Sequence, residues 1–201
     1  MEVTVIDDAI GMCQKEPLCH IKATPNTIRV TPRIDPTVYL QSTSNATKIA
    51  DLNMLLTTSK FDDLIREKCR VKQKQCNIVI KTNLAPASQL AYHYYTDPQL
   101  VDAVATRIEK LGYPNVLIVE SETNAVKAHP QLTPDQMGKK VGFTHQVHDL
   151  TSDKRISFQY KTKTIELSEK MVTADVIINM PKAKNHDLTN CERSPRASAR
   201  G

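Results

Sequence analysis

The chain has no tryptophan, three phenylalanines and five glycines in 201 residues. Bulky aromatics are therefore too few to fill a core, which has to be built from Val, Ile, Leu and Ala. Those residues suit strands buried between layers of helices. The five cysteines, Cys13, Cys19, Cys69, Cys76 and Cys191, include no C-x-x-C pair. That spacing writes neither a zinc ribbon nor an iron–sulfur run, and the odd number reads as reduced thiols of a cytoplasmic protein. Nothing approaches the roughly 20 apolar residues of a membrane span, and the acidic start, Met1 to Asp8, lacks the basic flank of a secretory signal. A strong excess of one charge is also missing: 27 basic against 22 acidic side chains leave a net +5. Three of the positive charges, Arg193, Arg196 and Arg200, lie in the last nine residues. With no basic–aromatic motif beside it, this is a solubility feature and no nucleic-acid footprint.

What is present is a chain long enough to bury roughly 70% of its unfolded surface without a staple. Residues 1–58 are hard to read. Val3–Ile6 has strand character, Pro17, Pro25, Pro32 and Pro36 break the next stretch into loop or edge, and the polar residues 42–60 read as partly helical. From residue 59 the pattern sharpens into an α/β domain running to 189. Phe61, Leu64, Ile65 and Cys69 fall at helical spacing, and residues 77–81 form a short apolar run read as a buried strand.

Asp97-Pro98 caps and starts a helix whose stripe is Leu100, Val101, Val104, Ala105, Ile108 and Leu111, closed by Gly112. Val116–Val119 is the next strand, and Thr133-Pro134-Asp135-Gln136 is a capping box ahead of a helix that stops near Gly142. Residues 146–150 read as a strand, 156–160 and 163–167 as a hairpin with Thr162 near its tip, and Ser168 as the cap of one helical turn. Val176–Asn179 is the last strand. Its unbroken apolar run predicts a central position with both faces covered. Strand, helix, strand, helix, strand over 77–150 is the rhythm of a mostly parallel sheet with helices on both faces and a small hairpin inserted. Residues 190–201 have no apolar periodicity and read as a disordered tail.

Ligands of open α/β sheets sit outside the carboxyl ends of the strands, so the residues just after each apolar run are the candidates. These are Lys81 and Asn83, Glu120, Asp149, then Asn179, Lys182, Lys184 and His186. Lys81, Lys182 and Lys184 supply positive charge for an anionic small molecule, and Asn83 and Asn179 orient it. Glu120, Asp149 and His186 are the acid–base candidates. Each has a plain reading as well: lysines after strands are mostly solvated, and carboxylates there often only balance them. His145 and His148 have no metal-binding spacing, and no metal site is predicted. These residue types fix neither a substrate nor a reaction. The alternative is a non-catalytic interaction module or an incomplete remnant.

Four segments resemble the Domain of Unknown Function 362 family. They are Ile80-Lys81-Thr82-Asn83-Leu84, Tyr95-Thr96-Asp97-Pro98, Ile118-Val119-Glu120-Ser121, and the run from Ala174 through Asn179-Met180-Pro181-Lys182-Ala183-Lys184-Asn185-His186. The resemblance spans about residues 75–190. Thr82 stands where the family usually has Pro, and Asn185 where it usually has Thr. The resemblance implies an α/β fold with a strand-end site and, through ferredoxin-type modules often linked to the family, a redox-associated role with a ferredoxin-like partner. The 4Fe-4S ligands belong to those modules, so no cofactor is implied within this chain. After the histidine the family's continuation is replaced by residues 191–201. The alternatives are a truncated or frameshifted product, incomplete at its C-terminus and prone to self-association, and a natural divergent tail.

Overall fold

A computed structural model describes residues 2–3, 29–30, 41, 43–84, 95–121, 133–160 and 162–182. Its elements are β1 (Glu2–Val3), β2 (Arg29–Val30), α1 (Lys48–Thr58), α2 (Phe61–Lys68), a 3₁₀ turn (Gln73–Gln75), β3 (Ile78–Lys81), α3 (Pro98–Lys110), β4 (Val116–Glu120), α4 (Pro134–Val141), β5 (Val147–Asp149), β6 (Arg155–Tyr160), β7 (Lys163–Ser168), α5 (Glu169–Thr173) and β8 (Val176–Asn179). The chain is α/β: a four-stranded parallel sheet in the order β5-β4-β3-β8 with helices around it, an antiparallel β6–β7 hairpin, and a short β1–β2 pair.

Alternation along the strands builds two unequal layers. Ile78, Ile80, Ile118 and Val147 face a core shared with Leu56, Ile65, Val101, Val104, Ile108 and Met137 of α1 to α4. Val79 and Val119 face the other way, onto Leu150 with Met171 and Ala174 of the α5 region. In that second layer Val79 is flanked in register by Leu117 and Ile177, each 38% exposed.

The helix signals work as chemistry dictates. Asp97 accepts from the Gln99 N–H, Thr133 and Gln136 close the capping box, and Gly112 and Gly142 take the positive φ that ends α3 and α4. Gly138 lets α4 lie on β5, because a Cβ there would come within 2.6 Å of Val147 Cγ2. Helix α1, inside the poorly legible segment, packs on the domain: Leu56 joins the core, and Arg107 of α3 donates to Asn53 Oδ1 and Thr57 Oγ1 of α1 at 3.3 Å while gripping Asp62 of α2 at 2.7 and 3.1 Å.

Two expectations are corrected. Strand β8 lies at the sheet's edge among the described residues, paired only with β3, and its residues are half-buried or exposed in alternation. An apolar run reports low polarity, not the number of neighbours, and half-burial on an edge satisfies it equally well. The cysteines are not all reduced thiols: Cys69 and Cys76 are joined by a disulfide. Their separation of seven residues carries no recognised motif, and only the turn from α2 into β3 brings them together.

Candidate functional site

The strand order defines where a site can form. From β3 the chain steps outward to β4 and then β5, and β8 returns to the opposite side of β3. Such a reversal is the position that favours a ligand crevice in open α/β sheets, and here it falls between the carboxyl ends of β3 and β8. Lys81 and Asn179 are register partners across that pair, so they are neighbours at the strand spacing of about 4.8 Å. Thr82, Asn83 and Leu84 leave β3 on one side, and Met180, Pro181 and Lys182 leave β8 on the other.

The two exits are tied together by the Thr-Asp-Pro segment. Thr96 Oγ1 accepts from the Asn83 N–H at 3.1 Å and donates to the Met180 carbonyl at 2.7 Å, while the Thr96 N–H donates to the Asn83 carbonyl. Asp97 caps α3 with one oxygen and accepts from Lys48 Nζ at 2.6 Å with the other. The bridging by Thr96 was not legible in the sequence, where the adjoining Asp97-Pro98 signalled a helix start. A hydroxyl both accepting and donating needs partners that only the tertiary fold supplies.

Glu120 is the second tie. It is buried, and its carboxylate accepts from the N–H of Leu84 at 2.9 Å, the N–H of Ser121 at 2.8 Å and Lys81 Nζ at 2.6 Å. Lys81 also donates to the Thr82 carbonyl. Glu120 thus holds the β3 and β4 exits and the amine of Lys81 at once. Beside these saturated groups lies an unsatisfied one. Thr82 is 1% exposed and, among the described residues, its hydroxyl has no hydrogen-bond partner. Buried hydroxyls normally find one, and leaving one without costs about 1–3 kcal/mol.

The other candidates are dispersed. Asp149 is in register with Glu120 on the far edge strand, two strands from β3, and its Oδ1 accepts from the Thr151 N–H in the turn after β5. Lys81, Asn83, Asn179 and Lys182 therefore lie at the ends of β3 and β8 or on the segments that leave them, Glu120 is one strand over at the end of β4, and Asp149 is a further strand away. Lys184 and His186 lie outside the described residues.

The structure also contains a polar cluster at β5 that the sequence did not reveal. Asp153, 6% exposed at its side chain, accepts from Ser168 Oγ at 2.6 Å, Lys170 Nζ at 2.6 Å and His148 Nε2 at 3.2 Å. Burial alone would raise its carboxyl, but the bonds from Lys170, Ser168 and His148 outweigh this and hold it below the usual carboxylate range. The cluster docks the hairpin and α5 onto β5. Ser168, expected to cap α5, spends its hydroxyl here instead. A second histidine, His145, bonds Asp102 through Nδ1 at 2.7 Å and fixes the turn before β5. Among the described residues no three His, Cys, Asp or Glu side chains are grouped to hold a metal, and the bonded Cys69 and Cys76 offer no thiolate to an iron–sulfur cluster. No helix among them is long and apolar enough to cross a membrane.

No curated protein and no solved structure matches the chain. The family model for the domain of unknown function DUF362 matches residues 78–192, more than half of its length. That match begins at β3 and takes in the crevice, the Thr-Asp-Pro tie, Glu120 and the lysine–histidine block, and on it the chain belongs to the DUF362 family.

Proposed function

We propose that the crevice between β3 and β8 binds an anionic small molecule. The observation that supports this most is the reversal of strand order at β3, which puts Lys81, Asn83, Asn179 and Lys182 on the two segments flanking the crevice. The ligand's oxygens take hydrogen bonds from the Asn179 amide and the lysine ammonium groups. Thr82 Oγ1, buried and without a partner among the described residues, gains one when an acceptor or donor enters beside residues 82–84 and 180–182. Glu120 serves as a brace and counter-charge for Lys81, because its oxygens are already committed to three donors. A redox association comes through a ferredoxin-like partner.

A titration with inorganic phosphate and pyrophosphate, followed by calorimetry, tests the proposal. Binding that weakens about tenfold in both Asn179→Asp and Lys182→Gln, a loss of roughly 1.4 kcal/mol each, is the expected result. Absence of binding by either anion, or binding unchanged in both variants, refutes it. A second reading, a non-catalytic interaction module, is favoured by the exposed Leu117 and Ile177 beside Val79 on the second face. That reading expects concentration-dependent sedimentation and no response to either anion.

A further inference from the structure

The amino end of the sheet carries an arrangement that the crevice does not use. Cys69 follows α2 and Cys76 precedes β3, and both are fully buried in the core that holds Ile65 and Ile78. Between them residues 70–75 are all exposed, with Val71 at 86% and Gln73 held in the left-handed region at φ 47°. Lys72 of this loop pairs with Asp175 Oδ1 at 2.8 Å. The other oxygen of Asp175 accepts from the Asn77 N–H at 2.9 Å, and the N–H groups of Asp175 and Val176 both donate to the Asn77 carbonyl. One carboxylate therefore joins the loop, the start of β3 and the start of β8. Among the described residues β8 has no second neighbour to compensate for a loss of that join.

We infer that the Cys69–Cys76 bond is a redox latch on β8. Oxidised, it closes the loop at both ends and keeps Lys72 within reach of Asp175. Reduction by a dithiol breaks the S–S bond by way of a mixed disulfide. Two electrons and two protons pass to the sulfurs, giving two thiols, and the dithiol leaves as a disulfide. The loop then regains conformational freedom, the Lys72–Asp175 pair loses its preorganisation, and the first residues of β8 open more often. Because both sulfurs are buried, a reductant reaches them only when residues 70–75 open, so the latch responds on the timescale of that opening. The inference is independent of the anion proposal, since every group in it lies at the opposite end of the strands.

The full chain, purified without reductant, is first mapped under non-reducing conditions, where Cys69 and Cys76 are expected in one linked peptide pair. Hydrogen exchange is then compared for the oxidised chain, the dithiothreitol-reduced chain and Cys69→Ala/Cys76→Ala. The Asp175 and Val176 amides are expected to exchange about tenfold faster on reduction and in the double variant, with Ile118 and Val119 of β4 changing less than about twofold. Lys72→Gln, with the bond intact, moves the same two amides in the same direction by a smaller factor. Unlinked cysteines, β8 amides indifferent to reduction, or equal acceleration in β4 and β8 would each overturn the latch.

Discussion

The two ends of the parallel sheet use polar side chains differently. At the amino end, Asp175, Asn77 and Lys72 satisfy one another and a disulfide closes the loop above them. At the carboxyl end, Glu120 and Thr96 do the same kind of bracing, yet the Thr82 hydroxyl stays buried without a partner among the described residues, next in the chain to Lys81. A fold that needs only to hold its strands has no reason to keep an unsatisfied hydroxyl in one exit loop. The contrast separates an end whose polar groups satisfy one another from one that keeps a buried hydroxyl without a partner among the described residues, the kind of local cost that the proposed binding would offset.

The largest effect should come from breaking the carboxyl-end brace. Glu120→Ala leaves the Leu84 N–H without its acceptor and Lys81 without its counter-charge, and is expected to cost about 3 kcal/mol or more in urea unfolding. Glu120→Gln, which keeps an acceptor oxygen but loses the charge, should fall between it and the parent. A loss below about 0.5 kcal/mol for Glu120→Ala would mean that the brace is incidental.

A smaller effect tests the amino end and the β5 cluster through pH. Burial raises the Asp175 carboxyl, but the hydrogen bond from Lys72, the Asn77 N–H and the charge of Lys72 together bring it below its ordinary value, and Asp153 behaves likewise. A carboxylate with a lower pKa folded than unfolded makes the unfolded chain bind more protons. Its stabilisation is therefore complete above the unfolded value of about 3.9 and is lost as pH falls through the folded one. Thermal melts of the parent should fall below pH about 4, and Asp175→Asn and Asp153→Asn should each flatten that fall. Parallel curves for all three proteins would remove both carboxylates from the acid response.

Much of the architecture was readable because it rests on local rules. Asp97-Pro98, the Thr133–Gln136 box, Gly112 and Gly142 act within one turn, so sequence spacing captures them. Short apolar runs marked β3 and β4, and two neighbouring strand-like segments marked the hairpin, for the same reason. What escaped depends on contacts between distant segments: the edge position of β8, the Cys69–Cys76 bond, the docking of α1 through Arg107 to Asn53 and Thr57, and the Asp153 cluster. Of the candidate residues, Lys81, Asn83, Asn179 and Lys182 fall near one another because β3 and β8 are neighbouring strands and these residues end or follow them. Asp149 fell outside because strand order, which decides which ends are neighbours, is not written in any one strand.

The smallest stability change bears most directly on the claim that the carboxyl end is built to bind. Thr82→Val keeps the shape of the side chain and deletes the unsatisfied hydroxyl, so without ligand it should stabilise the chain by about 1 kcal/mol. The measurement is a thermal melt of parent and Thr82→Val with and without saturating inorganic phosphate. The account predicts a higher Tm for the variant in phosphate-free buffer and a phosphate-induced rise in the parent that the variant largely loses. A variant that melts lower than the parent, or one that keeps the full phosphate response, would contradict it.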